Sequence, residues 1–252
     1  MFQEFLWMLR HWKGQLSPLQ SIRRWQNELG NWSRFWKSYR HYQQLSPDKE
    51  NASLKNLYPC LGDDTAETFI EPTYFYQDCW AFEKIVQQRP SNHIDVGSHH
   101  MYVALLSKVL PVTMVDIRPL SLPLQSLNFK EGSILNLPFN DNSIESLSSL
   151  CVVEHIGLGR YGDPIDPDGS NKAITEIQRV VKSNGHLYFS VPILGHNNEV
   201  FFNAHRSFSE EYIEKCFSLC KVIEKMYIYG DSLQSNREDD KFGIGLYQMQ
   251  KL

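Results

Sequence analysis

From residue 93 onward the sequence predicts an α/β fold, a doubly wound and mainly parallel sheet of seven strands, preceded by an N-terminal helical extension. Short apolar runs there alternate with amphipathic helical stretches, the pattern of a parallel sheet covered on both faces. The chain has 252 residues, 42% of them hydrophobic, enough to bury a core without metal or disulfide support. The first 45 residues hold five of the six tryptophans and a net charge of +5, while the rest of the chain carries −9. That segment is built differently from the remainder of the chain.

Strands are predicted at 93–97, 112–117, 128–134, 144–151, 185–191, 221–229 and 242–249. Only a loop separates the last two, so one of them is expected to run antiparallel. Helices fit 74–88, with Phe75, Cys79, Phe82 and Val86 on one face, and also 101–110, 171–182 and 209–219. Ser209 followed by two glutamates is an N-cap signature. Ahead of the sheet, residues 1–45 read as helices broken near Gly14–Pro18 and at Gly30. Residues 46–72 read as a polar linker packed in places through Leu54, Leu57 and Tyr58, and 73–252 as the α/β domain.

Composition excludes several classes. A charged fraction of 21% with 32 aromatic residues does not describe a disordered chain. No apolar run approaches the ~20 residues of a membrane span, and the N-terminus lacks the form of a secretory signal. The five cysteines are scattered without a CxxC pair, which argues against a disulfide framework or a cysteine zinc site. An intracellular, cytoplasmic protein is expected. Nucleic acid is not expected as a partner, because the main domain is acidic.

The first strand ends in Ile94-Asp95-Val96-Gly97-Ser98, where Gly97 lets a ligand approach the backbone and the next helix presents free N–H groups. Asp116 stands 21 residues after Asp95 at the end of the second strand, where an acid can hold ribose hydroxyls. The dinucleotide fingerprint G-x-G-x-x-G is absent, since His99 and Met101 replace its later glycines. An acid within the turn disfavours phosphate and suits a cationic, amino-bearing nucleoside. An ordinary capped crossover is the plainer alternative.

The order IDVGS, VDIR, GSILNLPFNDNSIESLSSL, VVEHIGLGRYGD and RVVKSNGHLYFSVP resembles the class I S-adenosylmethionine-dependent methyltransferases. Within them it is most similar to domain-of-unknown-function family 268, found with bacterial surface-polysaccharide genes, through EHIGLGRYGDPxDPxG and FNAHR. The resemblance covers about residues 90–210. It implies a Rossmann-like methyltransferase sheet, S-adenosylmethionine as cofactor and a sugar or glycan acceptor. Asp95, Gly97 and Ser98 would line the methionine moiety, Asp116 and Ile117 the ribose and adenine, and Ile134 the adenine. Leu150 to Val153 would form the floor. His99 stands where commoner members have a second glycine, and Ser133 where an Asp is usual.

The loop Glu154–Gly169 holds two prolines and four glycines, a shaped cover over the carboxyl edge of the sheet. Phe202-Asn203-Ala204-His205-Arg206 comes after the fifth strand and is expected at the same edge. Methyl transfer needs an acceptor oxygen aligned with the sulfonium methyl and a group to take its proton. His155 and His205 are the candidate bases, with Asp163 as orienting partner or alternative base. Glu154, Arg160, Tyr161, Asn203 and Arg206 are the candidate acceptor contacts, the two arginines suiting a phosphate or sugar carboxylate. Asp163, Asp166 and Asp168 lack a bidentate glutamate at loop spacing, so no metal is assigned.

The residues and the resemblance together suggest an O-methyltransferase, and the resemblance implies a sugar or glycan intermediate of surface-polysaccharide biosynthesis as its acceptor. The rival, motivated by His99 and Ser133, is a non-catalytic glycan-assembly or membrane-docking module with a degenerate pocket. The basic aromatic segment 1–45 suits an anionic membrane surface or a glycan-assembly partner; packing against the domain or a second subunit is the alternative. Oligomeric state is left open.

Overall fold

The computed structural model describes residues 18–45 and 53–252. The chain forms two compact units, Met1–Phe69 and Ile70–Leu252. In the first, helix α1 (Pro18–Leu45) runs 28 residues without interruption. The break expected at Gly30 is absent, because a helix-interior glycine costs only about 1 kcal/mol and many flanking helix formers outweigh it. The break expected near Gly14–Pro18 falls outside the described residues, apart from Pro18, which opens α1 as its first residue. Trp25, Leu29, Trp32 and Trp36 recur along one face and are 71%, 65%, 39% and 38% exposed. The Arg34 guanidinium donates to the Leu61 carbonyl (3.0 Å) and pairs with Asp64 (2.7 Å). Within the predicted linker, a 3-10 turn spans Leu54–Asn56. Leu54 and Tyr58 are exposed rather than packed, since each lies in a short polar stretch that closes no core of its own.

The second unit opens with α2 (Pro72–Gln88), capped by the Glu71 carboxylate, which accepts the Tyr74 N–H at 2.8 Å. Its buried residues are Gln77, Trp80, Ala81 and Ile85. The predicted face is thus rotated: Phe82 and Val86 pack at its margin, while Phe75 and Cys79 are exposed, because burying Trp80 removes more apolar area. Strands β1 (His93–Val96), β2 (Val112–Asp116), β3 (Leu127–Glu131), β4 (Ile144–Leu150) and β5 (Val181–Ile193) are parallel. A hairpin of β6 (Glu199–Phe201) and β7 (His205–Ser207) comes next, then β8 (Cys220–Tyr229), β9 (Ser232–Gln234) and β10 (Gly243–Lys251).

The main sheet has the order β3-β2-β1-β4-β5-β10-β8-β9, with β10 antiparallel to both neighbours. All seven predicted strands are in it; the short β9 makes an eighth at the edge, and the β6–β7 pair lies apart. Three-residue strands carry too little periodicity to be read from sequence. Helices α2 and α3 (His100–Leu106) cover one face, and α4 (Gly169–Val180) and α5 (Glu210–Cys216) the other. Side chains alternate accordingly, with Ile244 and Leu246 packed on the α2 side and Tyr247 and Met249 on the α4 side.

Buried polar groups also hold β1 to β4. His93 contacts Ser146 Oγ (2.7 Å) through Nδ1 and Ser148 Oγ (2.9 Å) through Nε2, and burial lowers its pKa to about 3. Ser148 donates to the Asp95 carboxylate at 2.5 Å. The serines of IESLSSL therefore satisfy groups that would be costly alone in a sheet interior. The strand order reverses between β1 and β4, which places the switch-point crevice beyond their carboxyl ends.

Candidate active site

A two-lobed cleft occupies that crevice. The larger lobe, about 880 Å³, runs from the β1 turn along α3 and the Arg118–Leu124 loop. The smaller, about 340 Å³, is walled by Ile117, Ile134, Leu135, Val152, Ile156 and Pro164. Gly97, Asp116, Arg118, Cys151, His155 and Tyr161 line both. Gly97 has φ of +72°, and a Cβ there would lie 3.1 Å from Val152 Cγ1, so the turn admits no side chain without displacing the floor. Ser98 lines the larger lobe and accepts the Leu150 N–H at 3.0 Å, pinning the turn to β4. His99 forms part of the wall instead of filling the hollow: Nδ1 lies 3.1 Å from Asp78 Oδ2, and the ring stacks on Tyr74 at 4.7 Å.

The predicted cofactor residues fall into two groups. Gly97, Ser98, Asp116, Ile117, Ile134 and Leu150 all line the cleft. Asp116 Oδ1 accepts only the Arg118 N–H (2.8 Å) in its own turn, so its carboxylate retains capacity for a ligand hydroxyl. Asp95 does not line either lobe. It is fully buried, accepts from Ser148 and from the Ser98 N–H (3.1 Å), and burial raises its pKa to about 6. It braces the turn from behind, which corrects its assignment as a methionine contact. The alternation of a strand decides this: Asp95 projects onto the sheet face covered by α2 and α3, where Ser148 of β4 meets it, while the turn opens beyond the strand end.

The acceptor-side candidates divide more sharply. His155 lines both lobes, and its Nδ1 is 2.6 Å from the Ala204 carbonyl. A carbonyl only accepts, so Nδ1 carries the proton and Nε2 is the free nitrogen. Burial lowers His155 to about 4, leaving the ring neutral at physiological pH. Arg160 donates to the same carbonyl at 3.1 Å, and Tyr161 meets the His155 ring edge-on at 5.6 Å. Both line the larger lobe. Asp163 lines the smaller lobe, but its carboxylate accepts the Gly157 N–H (2.6 Å) and the Tyr161 N–H (3.3 Å). It shapes the loop; the orienting partner of His155 is the Ala204 carbonyl, not Asp163.

Four candidates are not part of the cleft lining. Glu154 is 1% exposed, with its carboxyl raised to about 8 by burial and Oε2 without a hydrogen-bond partner. Its Oε1 lies 3.8 Å from His155 Nε2, beyond hydrogen-bond reach, and the buried side chain lines neither lobe, so it is no acceptor contact. Arg206 is 7% exposed and donates to Ile156 O (2.6 Å), Ser170 Oγ (3.0 Å), Asp166 O (3.3 Å) and Pro167 O (3.4 Å). It tethers the loop from beneath and has no face for a phosphate. His205 lies between the tilted rings of Phe201 (5.0 Å) and Phe242 (5.8 Å) and lines neither lobe, so it is not placed to act as base. Asn203, exposed at φ +62°, forms the β6–β7 turn and also lines neither. The segment does lie at the expected edge, where Ala204 O meets His155 and Arg160 and Arg206 holds the loop, but hairpin pairing in register, Glu199 with Ser207 through Phe201 with His205, keeps the side chains of Asn203, His205 and Arg206 out of the cleft lining.

The loop itself depends on Gly157, whose φ is +80° and where a Cβ would collide with Asp166 O at 2.0 Å. Asp166 pairs with Lys172 at 2.6 Å, and Asp168 accepts from Asn171 at 2.7 Å, so these carboxylates are taken up in the start of α4. Among the lining residues that escaped sequence reading are Tyr74 and Arg118. Arg118 directly follows the Asp116-Ile117 pair and could have been found from that adjacency. Cys151 lies in the floor that the resemblance implied, but its φ of +52° at the end of β4 is a conformation that no local sequence signal announces.

A family model described as "Caenorhabditis protein of unknown function, DUF268" matches residues 134–226. No curated protein matches the sequence. Solved structures share the fold at low identity. A protein assigned as a sarcosine dimethylglycine methyltransferase from Galdieria sulphuraria has a TM-score of 0.53 at 13% identity, covering 70% of this chain and 86% of that one. The N-methyltransferase NodS from Bradyrhizobium japonicum WM9, in complex with S-adenosylhomocysteine, has 0.51 at 15%, covering 83% and 97%. The [4+2]-cyclase SpnF has 0.50 at 11%, covering 69% and 81%, so a different named activity occurs on a similar fold. With the strand order and the crevice described above, the second unit of this chain has the mixed α/β, Rossmann-like fold of the S-adenosylmethionine-dependent methyltransferases.

Proposed function

We propose that the protein is an S-adenosylmethionine-dependent O-methyltransferase acting on a sugar or glycan intermediate. One observation carries the cofactor reading: Gly97 and Asp116 line both of two adjoining lobes, and Ile117 and Ile134 wall the smaller one. These residues fit the group. Asp116 would hold the ribose, Ile117, Ile134 and Leu135 would flank the adenine, and Gly97 and Ser98 would face the amino-acid end. Bound there, S-adenosylmethionine would supply an electrophilic methyl group.

The chain's own part in the reaction centres on His155. Its Nδ1–H is committed to Ala204 O, so Nε2 can accept a hydrogen bond from an acceptor hydroxyl and then its proton. A hydroxyl oxygen becomes strongly acidic as it forms a new bond to carbon. A weak base that is already neutral therefore suffices, and a histidine lowered to about 4 meets that condition. The Glu154 carboxyl, 3.8 Å from Nε2 and raised to about 8 by burial, keeps negative charge away from the ring. The saccharide acceptor is supported by the sequence resemblance in EHIGLGRYGDP and FNAHR. Helix α1, with five basic residues against Glu28 and an exposed tryptophan stripe, suits an anionic membrane surface, where such an acceptor could be met. No helix among the described residues is long and apolar enough to cross a membrane.

Calorimetric titration with S-adenosylhomocysteine tests the reading. Binding that Asp116→Ala weakens about tenfold or more supports it; no heat and no thermal stabilisation at millimolar ligand overturns it and leaves the docking module.

A further inference from the structure

We infer that the large lobe takes an acceptor bearing an oxyanion, a phosphate or carboxylate, held by Arg118 and Arg160 across Tyr161. This rests on the reading above and names the chemistry of its acceptor. The two guanidinium carbons lie 4.4 Å and 5.1 Å from the centre of the same tyrosine ring, and all three residues line the lobe beside His155. Stacking on an aromatic ring leaves the in-plane N–H donors of a guanidinium free for bidentate contacts. Arg160 uses Nη1 on Ala204 O and meets no carboxylate within ion-pair distance among the described residues. Arg118 has only a loose contact with Asp116, at 3.6 Å, and its side chain is 59% exposed.

Two like charges are thus brought to one ring with a single carboxylate, Asp116, lining the same lobe. The rest of the chain beyond residue 45 carries a net charge of −9, so this concentration of positive charge stands against its surroundings. Holding two cations together costs free energy in the empty site, and an anion bridging them offsets it. The other arginine of the region, Arg206, has every contact satisfied by carbonyl and hydroxyl oxygens. That contrast separates the arginine that builds the loop from those that await a ligand. An anion held here would place a neighbouring hydroxyl against His155, whose ring touches Tyr161.

The test uses calorimetry at low ionic strength on the full chain, with pyrophosphate and glucuronate as separate probes, each with and without saturating S-adenosylhomocysteine. One of the two is expected to bind with the cofactor product already in place, telling phosphate from carboxylate. Arg160→Met should weaken that probe about tenfold or more while changing S-adenosylhomocysteine affinity less than about threefold. Arg118→Met should weaken it similarly, and added salt should weaken it in the wild type. If the probe and S-adenosylhomocysteine exclude one another and Arg160→Met costs the latter its affinity, the arginines serve the cofactor's own carboxylate and the inference fails. Absence of probe binding, or binding indifferent to Arg160→Met, also overturns it. If an Arg160-dependent anion binds while S-adenosylhomocysteine does not, the anion site stands and the methyltransferase reading falls.

Discussion

Helices α4 and α1 both carry apolar residues at helical spacing, yet they put them to opposite use. In α4, Ala173, Ile174, Ile177 and Val180 are at most 1% exposed beneath the sheet. In α1, Trp25 and Leu29 are more than 60% exposed, and Trp32 and Trp36 stack on each other at 6.5 Å instead of entering a core. The periodicity tells which face of a helix is apolar; it does not tell what that face will meet. For α4 the partner is the same unit's sheet. For α1 an anionic bilayer, whose headgroups would match its basic residues, is the partner we propose.

The comparison can be broken from either side. The largest effect is expected in α4: Ile177→Ala should lower the unfolding free energy by about 2–5 kcal/mol, read from urea denaturation. A loss under about 1 kcal/mol would mean that the α4 face is not a packed core. Next comes the loop anchored to the start of α4. Arg206→Met should cost about 2–4 kcal/mol, because four oxygen acceptors lose their donor. A neutral outcome would remove the distinction between Arg206 and Arg160.

Glu154 extends the contrast to a buried charge. Its folded pKa of about 8 lies above the unfolded value, so between pH 4.5 and 8 the folded state binds the proton more strongly. Stability from this group is therefore complete below about 4.5 and is lost as the pH rises through 8. Glu154→Gln should flatten that decline and raise the unfolding free energy at pH 9 relative to wild type by on the order of 1–2 kcal/mol, seen as a higher melting temperature. Unchanged slopes in a pH series of thermal melts would show that the carboxyl is solvated. The smallest effect on stability belongs to α1. Trp32→Ala with Trp36→Ala should change it by less than about 0.5 kcal/mol. The same pair should reduce co-sedimentation with phosphatidylserine vesicles about tenfold or more, with neutral vesicles as control. A large stability loss without a change in vesicle binding would identify the stripe as an interface between protein surfaces.

Much of the site was legible because its residues sit where local structure dictates their direction. Gly97 and Ser98 follow a strand that must turn, Asp116 ends the neighbouring strand, and Ile134 lies in the loop after β3. Errors gathered where direction depends on distant contacts. Glu154 and His155 are adjacent, but only the histidine lines the cleft. Asn203, His205 and Arg206 reach the expected edge, but the β6–β7 pairing leaves their side chains outside the cleft lining and brings only the Ala204 carbonyl to His155. On α2, the predicted face missed Trp80, since a helix stripe read by spacing ignores how much area each side chain can bury.

The alternation of apolar runs and amphipathic stretches was enough to determine the element order and the crevice position, because both derive from backbone hydrogen bonding and the burial of apolar faces, which are properties of short segments. Which polar side chain reaches the cleft was decided only by the tertiary structure. Arg160 lies in the glycine-rich loop and Arg206 in the short strand β7, and neither setting says locally which guanidinium is buried. One meets the carbonyls of Ile156, Asp166 and Pro167 when the chain closes, the other meets the Tyr161 ring at the rim, and those encounters are set by how the whole chain closes around the cleft.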